Sequence, residues 1–493
     1  MKTGLRVAAV GLALALWAPP WAQADYLIYK LGGGRAFVLQ GTVAISSDRQ
    51  VTYTHPTLKT TLTFRYDRNR IEVIKAESPK VLFNRRLAAA KRDPDKMYEA
   101  AVWGLKHGLI QEFYRAVDEV LKINPEHQLA KQVVELKEKM DTPLSEESAQ
   151  KAEKVLRDFC KKSDMKVARS KHYVILYDTP DKPPPGQRKP RHLQRLDLLE
   201  QVYETFLLTF WSRNIKLEIP NEYLPIVLFS EYQDYLTFSV NYSPDLAGAA
   251  GYWIHSNNIG VFYDNTSYDT LKAVKDLAQE MKREGEAIKA QAGAAAAREV
   301  IKYAETLTLV ISVIQENLDI EVVSHEGTHQ MAGNTGLFPR HVQVPSWAHE
   351  GLATYFESPG EMGWSGVGAV NEQRLEFYRG LEPDRVHSNI DFIVADNIFK
   401  FAASHGAALH AYGQAWALTH FLMEKHPEKM VSYYRRLGEL PPDIILSGEL
   451  LVSLFNEVFG TDRGTLDLEW RAHMRSLKPD LERIREESER GGG

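Results

Sequence analysis

From residue 25 to about 80, apolar and polar positions alternate in FVLQGTVAIS, VTYTH, TLTFRYD and IEVIKAE. A period of two turns one face of each segment toward a core, so these are short strands of a small β module, placed at 25–85. The GGG at 32–34 is followed by neither Lys-Ser/Thr nor a helix, and reads as a turn rather than a phosphate loop. Near residue 94 the period changes. MYEAAVWGLKHG, LIQEFYRAVDEVLKI and NPEHQLAKQVVELKEKM carry apolar residues three and four apart, which predicts helices over 94–140. DTPLSEES at 141–148 is polar and reads as a linker with a capping serine. From about 165, strands and helices mix. KHYVILYD (171–178) and LPIVLFS (224–230) are strands, 191–211 is an amphipathic helix, and YQDYLTFS (232–239) starts another. Residues 249–264 read as two short strands around Ser256-Asn257-Asn258. An Ala-, Lys- and Glu-rich helical insert occupies about 268–305, before the helix that carries VVSHEGTHQM at 322–331. Further helices are predicted at 347–357, 371–379, 411–425, 428–437 and 447–458, with charged helix over 463–490.

At 493 residues the chain is too long for one core, so several domains are expected. The helices over 94–140 resemble a tetratricopeptide unit in Trp103-Gly104, Ala116 and the Asn124-Pro125 break. Only about one and a half repeats are visible, where stacked repeats need three or more. This TPR-like segment, at 90–150, is therefore expected to pack on a neighbour. A spacer is the plainer role; a protein partner bound through 94–140 is the sharper one.

Residues 1–24 have the build of an export signal. Lys2 and Arg6 precede an apolar run from Val7 to Ala18, and Ala22-Gln23-Ala24 is a small-x-small cleavage site. The expectation is a periplasmic or extracellular protein without a stable membrane span after cleavage. An uncleaved anchor is the competing reading. The formal charge is -5, and losing Lys2 and Arg6 makes the remainder more acidic. That argues against nucleic acid as a partner. The basic stretch KPPPGQRKPRH at 182–192 is broken by prolines and reads as a solvated loop. Cys160 is the only cysteine, so no internal disulfide forms, and its helical context reads as packed apolar surface.

Chemistry concentrates at His325-Glu326-Gly327-Thr328-His329. On a helix, positions four apart share a face, so both imidazoles can address one metal ion. Glu326 lies beside them, placed to take a proton from metal-activated water. Two histidines at that spacing also arise by chance, and a third ligand is needed to decide. PSWAHEGLATYFES (345–358) offers Glu350 on a following helix, with Ser346 as a plausible N-cap. An exposed helix charge is the alternative for Glu350. His349, about 100° around the helix from Glu350, is expected to point elsewhere.

HEGTHQ followed by WAHEGLATYFE resembles the gluzincin zinc metallopeptidases and, more narrowly, a family of exported bacterial proteins of unassigned function with a gluzincin-like domain. The resemblance covers roughly residues 165–440. It implies an α+β zincin-like peptidase domain, placed at 165–493, with a helical C-terminal part, after the β module and the TPR-like segment. It implies His325, His329 and Glu350 as ligands of Zn(2+), Glu326 as general base, and a peptide or protein substrate. Many gluzincins carry a carboxylate one turn after the ligand glutamate; here that position is Thr354, and Glu357 is the candidate to replace it. The resemblance also implies an oxyanion-stabilising Tyr or His from a later helix. Tyr412 fits best, with His410 and His420 as alternatives. The strands at 249–264 would be the edge that binds extended peptide, with Gly251 admitting its backbone. No motif for binding a chain terminus is evident, which leans toward an endopeptidase. A non-catalytic zincin-fold scaffold, binding partners through its β and TPR-like segments, is the rival function.

Overall fold

A computed structural model describes residues 24–491, apart from 33–34, 47–48, 56–60, 66, 185–186, 358–365 and 443. The leader reading of 1–24 and the turn at 33–34 thus lie largely outside the described residues.

The alternating N-terminal segment forms β1 (Asp25–Gly32), β2 (Arg35–Ile45), β3 (Gln50–Thr54), β4 (Thr61–Arg65) and β5 (Ile71–Ile74). They make one antiparallel sheet in the order β4-β3-β2-β1-β5. Helices follow: α1 (Pro79–Ala89), α2 (Pro94–Lys106), α3 (Ile110–Ile123), α4 (Gln128–Met140) and α5 (Glu146–Cys160). The stretch read as a linker contains the start of α5, capped by Ser145, whose hydroxyl accepts from Ser148 N–H. The TPR-like helices are no free-standing array. They share a continuous apolar core with the rest of the chain, Tyr98 donates to Ser212 O at 2.9 Å, and Lys106 pairs with Glu424.

The second sheet comprises β6 (Lys166–Arg169), β7 (Tyr173–Tyr177), β8 (Leu224–Phe229), β9 (Tyr252–Ile254) and β10 (Ile259–Tyr263), in the order β6-β7-β8-β10-β9. Its centre is parallel and its two outer pairings are antiparallel. The central strands are buried on both faces, as parallel strands require. Ile175, Ile226 and Phe262 face one core with α6 (Arg191–Trp211). Val174, Val227 and Val261 face another, with α5 and α7 (Tyr232–Tyr242).

The insert read at 268–305 is half of a helical hairpin. α8 (Asp269–Ala292) ends at Gly293, whose φ of +86° turns the chain, and α9 (Ala294–Asn334) then runs for 41 residues. Insert and HExxH segment are one helix, where two were expected. No proline interrupts 294–334, and its Ala-rich start favours helix, so nothing stops propagation. Its middle, Leu309, Val310 and Val313, packs into the β module beside Leu27, Val51 and Ile71.

The remaining body is helical: α10 (Ser346–Phe356), α11 (Glu372–Leu381), α12 (Ile390–Val394), α13 (Ile398–His405), α14 (Ala408–Lys425), α15 (Pro427–Gly438), α16 (Gly448–Phe459), α17 (Arg463–Ser476) and α18 (Asp480–Gly491). Ser346 does not cap α10 as read from sequence. It is the first helical residue, and the cap comes from Asp396, which accepts from Trp347 N–H at 3.1 Å and from Ser346 Oγ at 3.2 Å. A carboxylate there also suits the positive end of the helix dipole. Among the described residues, no helix is long and apolar enough to cross a membrane.

Candidate metal centre

α9 delivers His325 and His329 on one face, and α10 crosses it to deliver Glu350. His325 Nε2 lies 3.2 Å from His329 Nε2 and 3.1 Å from Glu350 Oε2, and His329 Nε2 lies 3.8 Å from Glu350 Oε1. A tetrahedral ion with arms of ~2.1 Å holds its ligand atoms ~3.4 Å apart; the 3.2 and 3.1 Å separations are close to that, and one ligand atom from each of the three residues lies within 4.8 Å of the others. Two imidazoles and a carboxylate are also a donor set that divalent transition metals accept. The residues fit a metal, and they form a possible metal-binding triad.

The surroundings fix the first histidine. His325 Nδ1 donates to Glu357 Oε1 at 2.8 Å, leaving Nε2 for the centre. Glu357 is almost fully buried and is held by Asn371 Nδ2 at 3.0 Å and by Arg374. Glu357 is thus the carboxylate that meets the outer nitrogen of His325, while Thr354 returns its hydroxyl to Glu350 O at 2.9 Å. Asn371 and Arg374 escaped the sequence reading. They come from α11 and its N-cap, across a segment whose spacing carries no signature.

Charge is tightly apportioned. Burial disfavours the His325 cation, but hydrogen bonds to Glu350 and Glu357 outweigh it and hold the pKa well above the usual imidazole range, so a metal would bind at Nε2 by displacing the proton that Glu350 accepts there. Burial, aided by neighbouring His349, holds His329 well below that range, so it stays neutral. Burial also opposes ionisation of Glu350, yet hydrogen bonds to His325 and His349 keep it ionised, well below the ordinary carboxylate pKa. Glu326 is raised to about 7, chiefly by burial and further by the charge of Glu350, while the charge of His325, then His349 and the backbone N–H of Trp253, pull the other way. The Glu326 carboxylate thus lies near the backbone of the edge strand β9.

His349 corrects the expectation that it points away. Its ring stacks on His329 with centroids 3.8 Å apart, and its Nδ1 lies 3.1 Å from Glu350 Oε1. The 100° rule describes Cβ directions; a long side chain can still swing back over a neighbour. Gly251 also differs from expectation. A Cβ there would meet Val322 Cγ1 at 2.7 Å, so this glycine lets the strand pair approach α9.

Tyr412, at the start of the second turn of α14, has its ring centroid 6.4 Å from that of His325. Burial, then the charges of Glu350 and Glu326, push its phenol pKa up, so it keeps its proton. His410 faces Phe377 O at 2.9 Å. His420 faces Gly368 O and His473. Neither alternative has its hydrogen bonds at the centre.

Fold and centre together define an α+β protein with a candidate two-histidine, one-glutamate metal site. Over residues 319–443 the chain is similar to the family described as "Protein of unknown function (DUF1570)". That match contains His325, Glu326, His329, Glu350, Glu357, Arg374 and Tyr412, while the β module, the helices over 94–140 and all of the second sheet lie outside it. No curated protein and no solved structure matches the chain.

Proposed function

We propose that this chain is an exported zinc metallopeptidase of gluzincin type, with His325, His329 and Glu350 as ligands and Glu326 as general base. The observation that carries the reading is the convergence of two imidazole nitrogens and a carboxylate at 3.1–3.8 Å, with a further carboxylate beside them. A nitrogen- and carboxylate-bound site with three protein ligands is the pattern of catalytic zinc. The mixed sheet supports a zincin-like fold: its terminal strand, β9, is antiparallel and lies along the helix that bears both histidines.

When bound, zinc supplies a Lewis acid that acidifies water and polarises a carbonyl. The protein groups divide the remaining work. Glu326 takes a proton from the attacking water and later passes it to the leaving amine. Near the Trp253 backbone, that carboxylate lies next to β9, where an extended substrate would add as a further strand, a largely sequence-tolerant mode of binding. Tyr412 donates its O–H to the oxygen on which negative charge develops. Glu357 holds the His325 ring in one tautomer and orientation.

The test is cleavage of a peptide library by purified protein, with zinc measured on the same sample. Glu326→Gln should abolish cleavage while about one zinc per chain stays bound. Cleavage retained by that variant would remove Glu326 as the base, and a wild-type protein that takes up no zinc would remove the whole reading.

A further inference from the structure

Arg374 lies in the first turn of α11, and its side chain is 9% exposed. Its Nε and Nη2 fork onto Glu357, 3.1 Å from Oε2 and 3.0 Å from Oε1. Oε1 is the atom that accepts the His325 Nδ1 proton. Nη2 also reaches Glu321 Oε1 at 3.3 Å. The same guanidinium stands 5.3 Å from the ring centroid of Tyr412. One planar cation therefore touches both the carboxylate behind a metal ligand and the candidate oxyanion donor. The backbone around it has little freedom. A Cβ on Gly413 would stand 3.0 Å from Arg374 O and 2.8 Å from Tyr378 N, so α11 and α14 meet backbone to backbone beside Tyr412.

We propose that Arg374 is a positioning residue of the metal centre: its fork on Glu357 sets the His325 imidazole, and its flat face holds the ring of Tyr412. The proposal rests on the reading of the centre as a hydrolytic zinc site. A purely structural role would be to neutralise Glu357 and Glu321, and any buried cation could do that. The fork and the face are different. Lysine carries the same charge but offers neither a bidentate donor nor a planar surface to an aromatic ring. Arg374→Lys therefore separates positioning from neutralisation.

The experiment compares full-length wild type with Arg374→Lys by four readouts. These are the thermal midpoint, zinc affinity by competition with a chromogenic chelator, the visible spectrum of the cobalt(II)-substituted protein, and kcat and KM on a peptide that wild type cleaves. The variant should fold with a midpoint near wild type. Its zinc affinity should fall about 10-fold or more, the usual range when a ligand's supporting group is disturbed. Its cobalt bands should shift, and kcat should fall while KM changes little. A folded Arg374→Lys with wild-type zinc affinity and cobalt spectrum overturns the proposal and leaves the zinc reading standing. A wild type that takes up neither zinc nor cobalt overturns both. Should Arg374→Lys not fold, Arg374→Gln carries the same readouts, because it keeps one donor toward Glu357 while removing the fork and the planar cation. Weakened affinity with shifted bands supports the proposal, and wild-type values overturn it.

Discussion

Acidification from pH 7 to pH 5 should destabilise the protein through a histidine outside the metal centre. His420 is 3% exposed, on α14, between the rings of Tyr355 and Trp416. Its Nε2 lies 3.2 Å from Gly368 O and its Nδ1 lies 3.1 Å from His473 Nε2. Burial lowers its pKa from 6.5 to about 4, against the opposing charge of Glu424. The folded-state value is below the unfolded one. Below pH 6.5 the unfolded chain therefore binds a proton that the folded chain refuses, so stability is full above 6.5 and is lost as pH falls toward 4. At about 1.4 kcal/mol per pH unit the whole interval is worth ~3 kcal/mol, and ~2 kcal/mol of it falls between pH 7 and pH 5. The assay is urea unfolding of wild type and His420→Gln at both pH values, at one fixed saturating zinc concentration. The glutamine can keep a donor toward Gly368 O but does not titrate. Other groups lose stability in this window too, and the comparison cancels them. The variant should lose about 2 kcal/mol less than wild type between the two pH values. Parallel losses in the two proteins would refute the assignment of the effect to His420.

Two further substitutions probe the site and its support. Tyr412→Phe removes one oxygen and keeps the ring against Arg374 and Phe399, so zinc content and thermal midpoint should hold while kcat falls about 100-fold, the loss typical of an oxyanion donor; an unchanged kcat would take the oxyanion role from Tyr412. Asp319→Asn should cost about 3 kcal/mol in urea unfolding, the lower end for breaking a buried ion pair, because Arg195 loses its carboxylate while Arg191 keeps Asp264; a loss below about 1 kcal/mol would show that the α6–α9 clamp is not held by charge.

Periodicity carried most of the fold because most elements bury one regular face. The alternating strands β2 to β5 and the amphipathic helices α2, α3, α4 and α6 all lie where period two or period 3.6 places them. Some missed elements are too short for a period, β6 with four residues and α12 with five, but α1, which begins inside the stretch read as β module, and α13 were missed as well. The length of α9 was misjudged for another reason. A composition shift near residue 305 looks like a boundary, but helix propagation responds to breakers, and none intervenes before His325. At the centre, residues on one helix face were legible: His325 with His329 by spacing of four, and Glu350 by its motif. Arg374, Asn371 and Asp396 were not. Each acts through a tertiary contact with α10 or the residue that ends it, and no local rule links position 374 to 357 or position 396 to 347.

The position of Glu357 at the end of α10 explains why those distant partners are needed. Glu350 and Glu357, seven residues apart, both reach the imidazole of His325. They grip its two nitrogens, Glu350 at Nε2 and Glu357 at Nδ1. A carboxylate one turn after Glu350 would be fixed by the helix itself. Glu357 instead is the C-cap of α10, with φ -54° and ψ 130°, already outside the helical backbone. Its direction cannot come from helix geometry, so it has to come from what it touches, and the groups that touch it are Asn371, Arg374 and His325. A supporting carboxylate at the helix end thus places the control of His325 in α11 as well as α10. Since α11 is also packed against the first turns of α14, the same arrangement places Tyr412 and His325 under one guanidinium, and a disturbance of α11 should reach both together.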